Sequence, residues 1–303
     1  MSLSNKQKAI LALIIANIIW GAASPIFKWS LQNVQPFTLA FLRFYLGALL
    51  LLPFLRHIPL GIKKQHFFEV FLIAFFGITV NISFFFLALQ KTASINAPII
   101  ASSGPILLIL GSMIFLKEHP GIKKIAGGLM GLMGVIIIIL QPLIEKGLDA
   151  SVTGNLFLII ATLSSIIPVF ILRKLTKIYE PMTLVFWSFV ISAITFLPFF
   201  VHEIQTYYAL SNITIQGWTG IIYGAAFSSA AAYFLQYWAI KYLFASEIGL
   251  FTYLDPVVAI VIAGPLLGEV PTATFLLGTL LVFGGIYIAE GRIQYHPFHK
   301  LSG

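Results

Sequence analysis

Two ionisable side chains lie inside long apolar runs of this sequence. Asp255 lies about nine residues into the run 246–267, and Arg43 about seven residues into the run 36–55. If these runs are helices that cross a bilayer, a rise of about 1.5 Å per residue places Asp255 near the middle of the membrane. A charge there is costly and usually faces a cavity or a partner. Asp255 therefore predicts a site for a substrate amine or a coupling proton, and the alternatives are a structural salt bridge or a neutral, protonated acid.

Three further charged residues suggest gating or structural roles. Arg43 could bind a carboxylate, or it could be a structural partner of Asp255 or of helix-end carbonyls. A pair with Asp255 would form a gate. Glu118 and Glu269 end their apolar runs, and a proline follows each of them two residues later. Each carboxylate is placed to cap the unpaired N-terminal amides of the next helix.

Polar and aromatic residues form stripes along several of the apolar runs. Asn17, Trp20 and Ser24 are spaced i, i+3 and i+7, which puts them on one helical face. In lipid such a face must meet protein or a water-filled cavity, although small polar residues also serve in helix packing. We expect a substrate cavity lined by Trp20, Ser24, Asn81, Phe85, Ser102, Ser164, Tyr233, Gln236, Tyr237, Tyr253 and Asp255.

Catalytic and metal-binding patterns are missing from the sequence. The chain has no cysteine, and its six histidines lie in loops or near the ends of apolar runs. His202-Glu203 begins like a zinc-protease helix, but Thr206 stands where the second histidine is required. The sequence has no G-x-S-x-G elbow and no phosphate-binding Walker loop. We therefore expect no enzyme activity, no cofactor, no metal and no direct use of ATP.

The composition is that of a membrane protein. Apolar residues make up 59% of the 303 residues, charged residues 9%, and the mean hydropathy is +0.98. A soluble domain carries about a quarter charged residues, so most of this exterior must meet lipid. A helix needs about 20 mostly apolar residues to cross the hydrocarbon core. The predicted fold is all-α with ten transmembrane helices near 8–28, 36–55, 67–90, 95–116, 122–142, 152–172, 182–201, 216–240, 246–267 and 272–290.

Basic residues then orient these helices. With the N-terminus inside, the outer segments hold only Lys28, Lys91 and Lys146 of the 18 lysines and arginines, and Arg43 lies within a helix. The others fall on the inner side, as the positive-inside rule expects. The net charge of +8 is thus explained by topology, and we expect the bilayer, not nucleic acid, as partner. The predicted location is the inner (plasma) membrane, with both termini cytoplasmic.

The sequence repeats itself. At an offset of 151 residues, Pro105, Glu118, Pro120 and Gly127 meet Pro256, Glu269, Pro271 and Gly278; at an offset of 145, Pro36 and Pro53 meet Pro181 and Pro198. The predicted halves are 1–145 and 146–303, with five helices each. Because five is odd, the second half must be inverted in the membrane. Inverted repeats are typical of secondary transporters, which alternate access by exchanging the conformations of their halves.

These motifs resemble the EamA family of the drug/metabolite transporter superfamily. The similarity lies in Trp20-Gly21 with Ser24 and Lys28, in Pro36 followed by Arg43, and in the doubled proline–glutamate–glycine endings. It covers nearly the whole chain. The resemblance implies ten helices around a cavity lined mainly by helices 1, 3, 4, 6, 8 and 9. Members are mostly metabolite exporters, including amino-acid exporters, and some relatives import. The chain departs from the pattern of its own first half at Ser188, where a repeat of Arg43 would stand.

The predicted function is secondary transport of a small organic metabolite, an amino acid or a hydrophobic or aromatic amine, in the export direction. An uncoupled facilitator or channel is the alternative. The longest loop, about 202–215, is too short for a receptor domain. Gly127 and Gly131 form a G-x-x-x-G pattern, which predicts close helix packing, within the chain or in a homodimer.

Overall fold

The structure is a computed structural model, and it describes residues 4–104, 121–146, 150–207, 210–240, 242 and 251–290. These residues are almost entirely helical and include no β-strand. The predicted all-α class is therefore confirmed. Residues 105–120, which include the predicted cap Glu118, lie outside the described residues.

The helices coincide with the apolar runs of the sequence, except that those in the runs 95–116 and 246–267 are described only over part of the run. We label them α1 to α10 in chain order, and α3 and α8 each consist of two α-helical parts joined by a π-helical segment. Their bounds are α1 Asn5–Ser30, α2 Pro36–Leu51, α3 Phe67–Ala74 with Asn81–Leu89, α4 Asn96–Ser102, α5 Ile122–Lys146, α6 Ala150–Leu175, α7 Pro181–Thr206, α8 Ile215–Ile222 with Ala232–Ile240, α9 Leu254–Leu267 and α10 Ala273–Glu290.

Among the described residues, five helical stretches are long and apolar enough to cross a membrane: Asn5–Ser30, Pro36–Arg56, Lys64–Leu89, Ile125–Glu145 and Pro181–Thr206. Shorter apolar helices cover Ser151–Ile166, Leu254–Leu267 and Ala273–Ile288. Large apolar side chains also point away from the protein, and Phe68, Val261 and Leu280 are each more than 60% exposed. Such a surface is stable when lipid covers it, so the chain is a multi-pass membrane protein.

Glycines bring α5 and α10 into close contact. A Cβ on Gly134 would lie 2.5 Å from the Gly278 carbonyl oxygen, and one on Gly285 would lie 2.5 Å from the Gly127 carbonyl oxygen. The glycines of the predicted G-x-x-x-G pattern therefore pack helices within one chain. That pattern gives no support to a homodimer.

The π-helical segments interrupt the third and eighth helices at Phe75–Val80 and Tyr223–Ala231. A π-helical turn shifts the backbone hydrogen bonds and often marks a functional site. Around the α8 segment, side chains of neighbouring helices bind the backbone: the Trp20 indole N–H of α1 donates to the Ser228 carbonyl at 3.0 Å. This segment borders the central cavity described below.

Candidate substrate site

A cavity of about 250 Å³ lies in the centre of the helix bundle. Residues of α1, α2, α3, α4, α6, α8 and α9 line it. This set contains the six helices that the family resemblance implies and adds α2, through Arg43. The volume suits a small organic molecule, because ligand pockets for larger, drug-sized compounds occupy about 300–1,000 Å³.

Six of the predicted substrate-binding residues line this cavity together. They are Trp20, Ser24, Asn81, Phe85, Tyr233 and Asp255. They come from four helices, and their chain positions are up to 235 residues apart. The bundle therefore brings a carboxylate, an amide and several aromatic rings to one place.

Asp255 begins the first turn of α9, next to Pro256. Its Oδ1 atom is buried and has no hydrogen-bond partner among the described residues. Beside it, α1 and α9 cross so closely that a Cβ on Gly21 would lie 2.7 Å from the Asp255 carbonyl oxygen. A buried polar oxygen without a partner costs about 1–3 kcal/mol, and a ligand that donates a hydrogen bond would remove this cost.

Arg43 reaches the cavity from α2 and is held by the π-helical segment of α8. Its Nε donates to the Ser229 hydroxyl at 2.8 Å, and its Nη2 donates to the Ser228 hydroxyl at 3.0 Å. The guanidinium also lies 4.9 Å from the ring centre of Phe27 and 4.8 Å from that of Phe44. In the described part of the chain Arg43 forms no ion pair with Asp255. Arg43 thus binds two serine hydroxyls of the π-helical segment, and its predicted structural or gating role stays a prediction.

Aromatic rings form one wall of the cavity. Trp20 and Tyr233 meet edge to face, with ring centres 5.4 Å apart, and Tyr233 contacts Phe189 in the same way at 5.4 Å. Phe27 of α1 packs against Phe85 of α3 at 6.5 Å. Edge-to-face packing fixes these rings, so the wall offers a rigid apolar surface.

The other predicted substrate-binding residues lie outside the cavity lining. The hydroxyls of Ser102 and Ser164 donate to the carbonyls of Pro98 and Ala161 in their own helices. Such bonds to the preceding turn satisfy the hydroxyl without a ligand. Tyr237 is 5% exposed behind Tyr233, and the Tyr253 ring contacts Phe283 of α10 at 5.6 Å. The fifth such residue, Gln236, is half-buried in α8.

Glu269 caps a helix, but a different one from the helix that the sequence suggested. Its carboxylate accepts hydrogen bonds from the backbone N–H groups of Ser94 and Ile95, at 2.9 and 3.2 Å, just before α4. The Thr272 hydroxyl caps the next helix, α10, instead. Lys28 of α1 also lies 2.7 Å from Glu269. Sequence proximity favoured α10, whereas the bundle folds α4 and α1 against the end of α9.

Sequence reasoning missed several residues near the cavity and one cap. Phe27 and Ser165 line the cavity, and Phe27 follows Ser24 by three residues on the stripe already identified. Ser165 is the neighbour of the predicted Ser164, and one residue turns a helix by about 100°. Glu203 caps α2 by accepting from the Thr38 N–H at 2.6 Å and the Thr38 hydroxyl at 2.9 Å. No local pattern in the sequence indicates that contact.

The part of the chain that the structure describes contains no cluster of three or more histidine, aspartate or glutamate side chains that could bind a metal ion. The cavity itself holds one carboxylate and one guanidinium. These groups, with the aromatic rings, can bind a ligand through charge, hydrogen bonds and aromatic contact.

Comparison with known proteins agrees with this description. An uncharacterized transporter of Archaeoglobus fulgidus is 24% identical over 94% of this chain and 98% of its own length. The uncharacterized transporter YdfC of Bacillus subtilis is 29% identical over 88% of this chain and 86% of its own length. A WAT1-related chloroplastic protein of Arabidopsis thaliana is 25% identical over 92% of this chain and 68% of its own length.

A solved structure, titled only as the crystal structure of a protein, has the same fold, with a TM-score of 0.65 at 18% identity. The match covers 93% of this chain and 96% of that one. The sequence model of the EamA-like transporter family matches residues 7–140 and 152–290. Together these stretches span most of the chain, and the resemblance seen in its motifs is confirmed. The chain belongs to the EamA-like transporter family.

Proposed function

We propose that the protein is a secondary transporter that exports a small organic metabolite with an amino group by alternating access. The observation that carries this proposal is the central cavity, which is lined both by Asp255, whose buried Oδ1 has no described hydrogen-bond partner, and by a wall of fixed aromatic rings. Buried charges in membrane helices typically mark substrate or ion pathways. The aromatic wall fits a hydrophobic or aromatic group next to the amine.

Alternating access follows from two inverted halves, residues 1–145 and 146–303. The packing supports them. In the proposed repeat α1 corresponds to α6, α3 to α8 and α4 to α9. The contact between α1 and α9 therefore corresponds to that between α6 and α4, and the contact between α3 and α6 to that between α8 and α1. Each half also carries a π-helical segment in its third helix, α3 or α8. The family model matches one stretch on either side of residues 141–151. Ten membrane-crossing helices, five in each half, account for these pairs.

The membrane orientation is supported by contacts between loops. Lys28 with Glu269 and Thr38 with Glu203 join segments that the basic residues place outside. Lys174 with Glu69 and Tyr179 with His66 join segments placed inside. Each of these contacts connects segments assigned to the same side. These contacts support the grouping of loops by side, and the positive-inside rule then places both termini in the cytoplasm and the chain in the inner membrane.

The two charges of the cavity favour an amino acid over a simple amine. Among the described residues neither Arg43 nor Asp255 has an ionic partner, and both line the same cavity. In a medium of low dielectric, an amine alone would be repelled by Arg43 and a carboxylate alone by Asp255. A zwitterion can place its ammonium at Asp255 and its carboxylate toward Arg43.

A matched ligand series tests this proposal in proteoliposomes. Phenylalanine, phenethylamine and 3-phenylpropionate share the ring and differ in which charges they carry. We expect phenylalanine to be taken up in a saturable way, at least about tenfold better than either single-charge analogue, since a lost charge contact costs at least about 1.4 kcal/mol. Equal uptake of all three, or of none, would contradict the assignment of the site. Accumulation driven by a proton gradient would distinguish a coupled carrier from a facilitator.

A further inference from the structure

An ion pair joins the two proposed halves at the outer end of the bundle. The Lys28 ammonium of α1 lies 2.7 Å from Glu269, which follows α9. Glu269 also accepts from the Ser94 hydroxyl at 2.7 Å and from the Ser94 N–H at 2.9 Å, before the start of α4. We call Lys28, Ser94 and Glu269 the outer lock.

The outer lock lies next to the cavity along two of its helices. On α1, Lys28 is four residues beyond Ser24, which lines the cavity. On the α4 side, Ser94 is four residues before Pro98, which also lines it. Four residues of α1 span about 6 Å, so Lys28 lies one helical turn outward from the site, and Ser94 lies in the turn that leads into α4.

The backbone shape at Glu269 is fixed by a glycine. Gly268 has φ +67°, a left-handed conformation that ends α9 and that residues with a side chain rarely adopt. The turn brings the carboxylate back toward α1 and α4. The Lys28 side chain is 26% exposed and that of Glu269 11%, so water reaches the pair. A partly hydrated pair contributes modestly to stability, so it can exchange for contacts with water.

A cap for α4 needs the carboxylate but not the lysine. Lys28 binds Glu269 and the Thr92 carbonyl, at 2.7 Å each, without contributing to the cap. Its contribution is a link between α1 of the first half and α9 of the second. In the sequence, the repeat offsets carry Lys28 and Glu269 onto Arg173 and Glu118, which keep the same charges, whereas Ser94 falls on Ala245. Glu118 lies outside the described residues, so this correspondence is one of sequence.

We propose that the outer lock is the gate that closes the cavity on its outer side, and that it must break for substrate to leave. This inference rests on the proposed alternating access. The closed state is stabilised by the Lys28–Glu269 pair, and the open state leaves both charges to water. Removing the lysine therefore shifts the population toward the open state.

The experiment measures the width of the outer side without any substrate. The chain has no cysteine, so Lys91→Cys and Val270→Cys place spin labels only at these two exposed positions, in the α3–α4 and α9–α10 loops. Distances between the labels are measured by pulsed electron resonance in lipid nanodiscs. Lys28→Met removes the charge and leaves the cap intact. We expect the ratio of long to short distances to rise about tenfold, the effect of about 1.4 kcal/mol.

Two further variants serve as controls for the loss of the lysine charge. Lys28→Gln keeps a donor for the Thr92 carbonyl without the charge and should open the outer side as Lys28→Met does. Lys174→Met removes the other described ion pair, Lys174–Glu69 at 2.6 Å, and should not lengthen the outer distance. If both Lys28 variants fold and give the wild-type distances, the lock is only an architectural cap and the proposal is overturned.

The outcome is separable from that of the proposed function. A shift in distance together with an absence of uptake for all three probe ligands would support the lock and contradict the substrate assignment. Normal uptake with unchanged distances in the Lys28 variants would support the substrate assignment and contradict the outer lock.

Discussion

At the scale of residues, the site combines two opposite charges that the protein does not neutralise against each other. Arg43 is oriented by Ser228 and Ser229 and by two aromatic rings, so its position is fixed before substrate arrives. Asp255 is held by the close crossing of α1 and α9. Because both groups are held in place by neighbouring helices, little reorganisation is needed when a zwitterion binds.

Replacing Arg43 by lysine keeps the charge and removes the planar fork of donors. An ammonium cannot bind Ser228 and Ser229 and also receive a carboxylate in fixed geometry. We expect KM for phenylalanine to rise about tenfold, the effect of about 1.4 kcal/mol. Uptake of phenethylamine, which has no carboxylate, should stay within about twofold of wild type. Equal losses for both ligands would indicate that Arg43 serves the fold alone.

At the scale of elements, the cavity depends on how closely α1 approaches α9. Gly21 permits this approach, since a Cβ there would lie 2.7 Å from both the Asp255 carbonyl oxygen and the Val258 Cβ. Backbone and a branched side chain cannot yield as the end of a flexible side chain can. The crossing therefore sets the position of Asp255 relative to Trp20 and Ser24.

The variant Gly21→Ala should push the two helices apart. We expect a destabilisation of about 1–3 kcal/mol, typical of overpacking, and a loss of phenylalanine uptake. Gly264→Ala, in α9, is the matched control, because among the described residues its Cβ would meet only the Glu269 carbonyl oxygen, at 3.9 Å. Thermal melting in detergent and uptake in liposomes measure the two effects. A Gly21→Ala protein as stable and active as Gly264→Ala would contradict this account of the crossing.

The helices were predictable from sequence because lipid imposes long apolar runs, and the described helices begin and end within a few residues of them, apart from the end of α4 and the beginning of α9. The stripe of Trp20 and Ser24 was predictable because three residues of one helix suffice to define a face. The choice between Ser164 and Ser165 was not, since it depends on a rotation of α6 that its neighbours set. The contacts of Glu269 with α4 and of Glu203 with α2 join residues more than 160 positions apart. The π-helical segments likewise depend on packing around α3 and α8.

At the scale of the whole molecule, the proposed topology puts the Lys63 loop inside and the Lys91 loop outside. Both residues are exposed, and the chain has no native cysteine to interfere with labelling. In right-side-out vesicles, we expect an impermeant maleimide to label Lys91→Cys at once and Lys63→Cys only after permeabilisation. The reverse pattern would invert the proposed orientation, and the export direction would then need a new basis.

The direct test of the central claim is uptake by Asp255→Asn beside the wild-type protein in proteoliposomes. Asparagine keeps the size of the side chain and removes the charge that we assign to the substrate ammonium. We predict that saturable uptake of phenylalanine falls at least about a hundredfold, since a buried charge contact is worth about 3 kcal/mol, while the variant melts at or above the wild-type temperature. Wild-type uptake by Asp255→Asn would contradict the account and leave Arg43 and the aromatic wall as the substrate site.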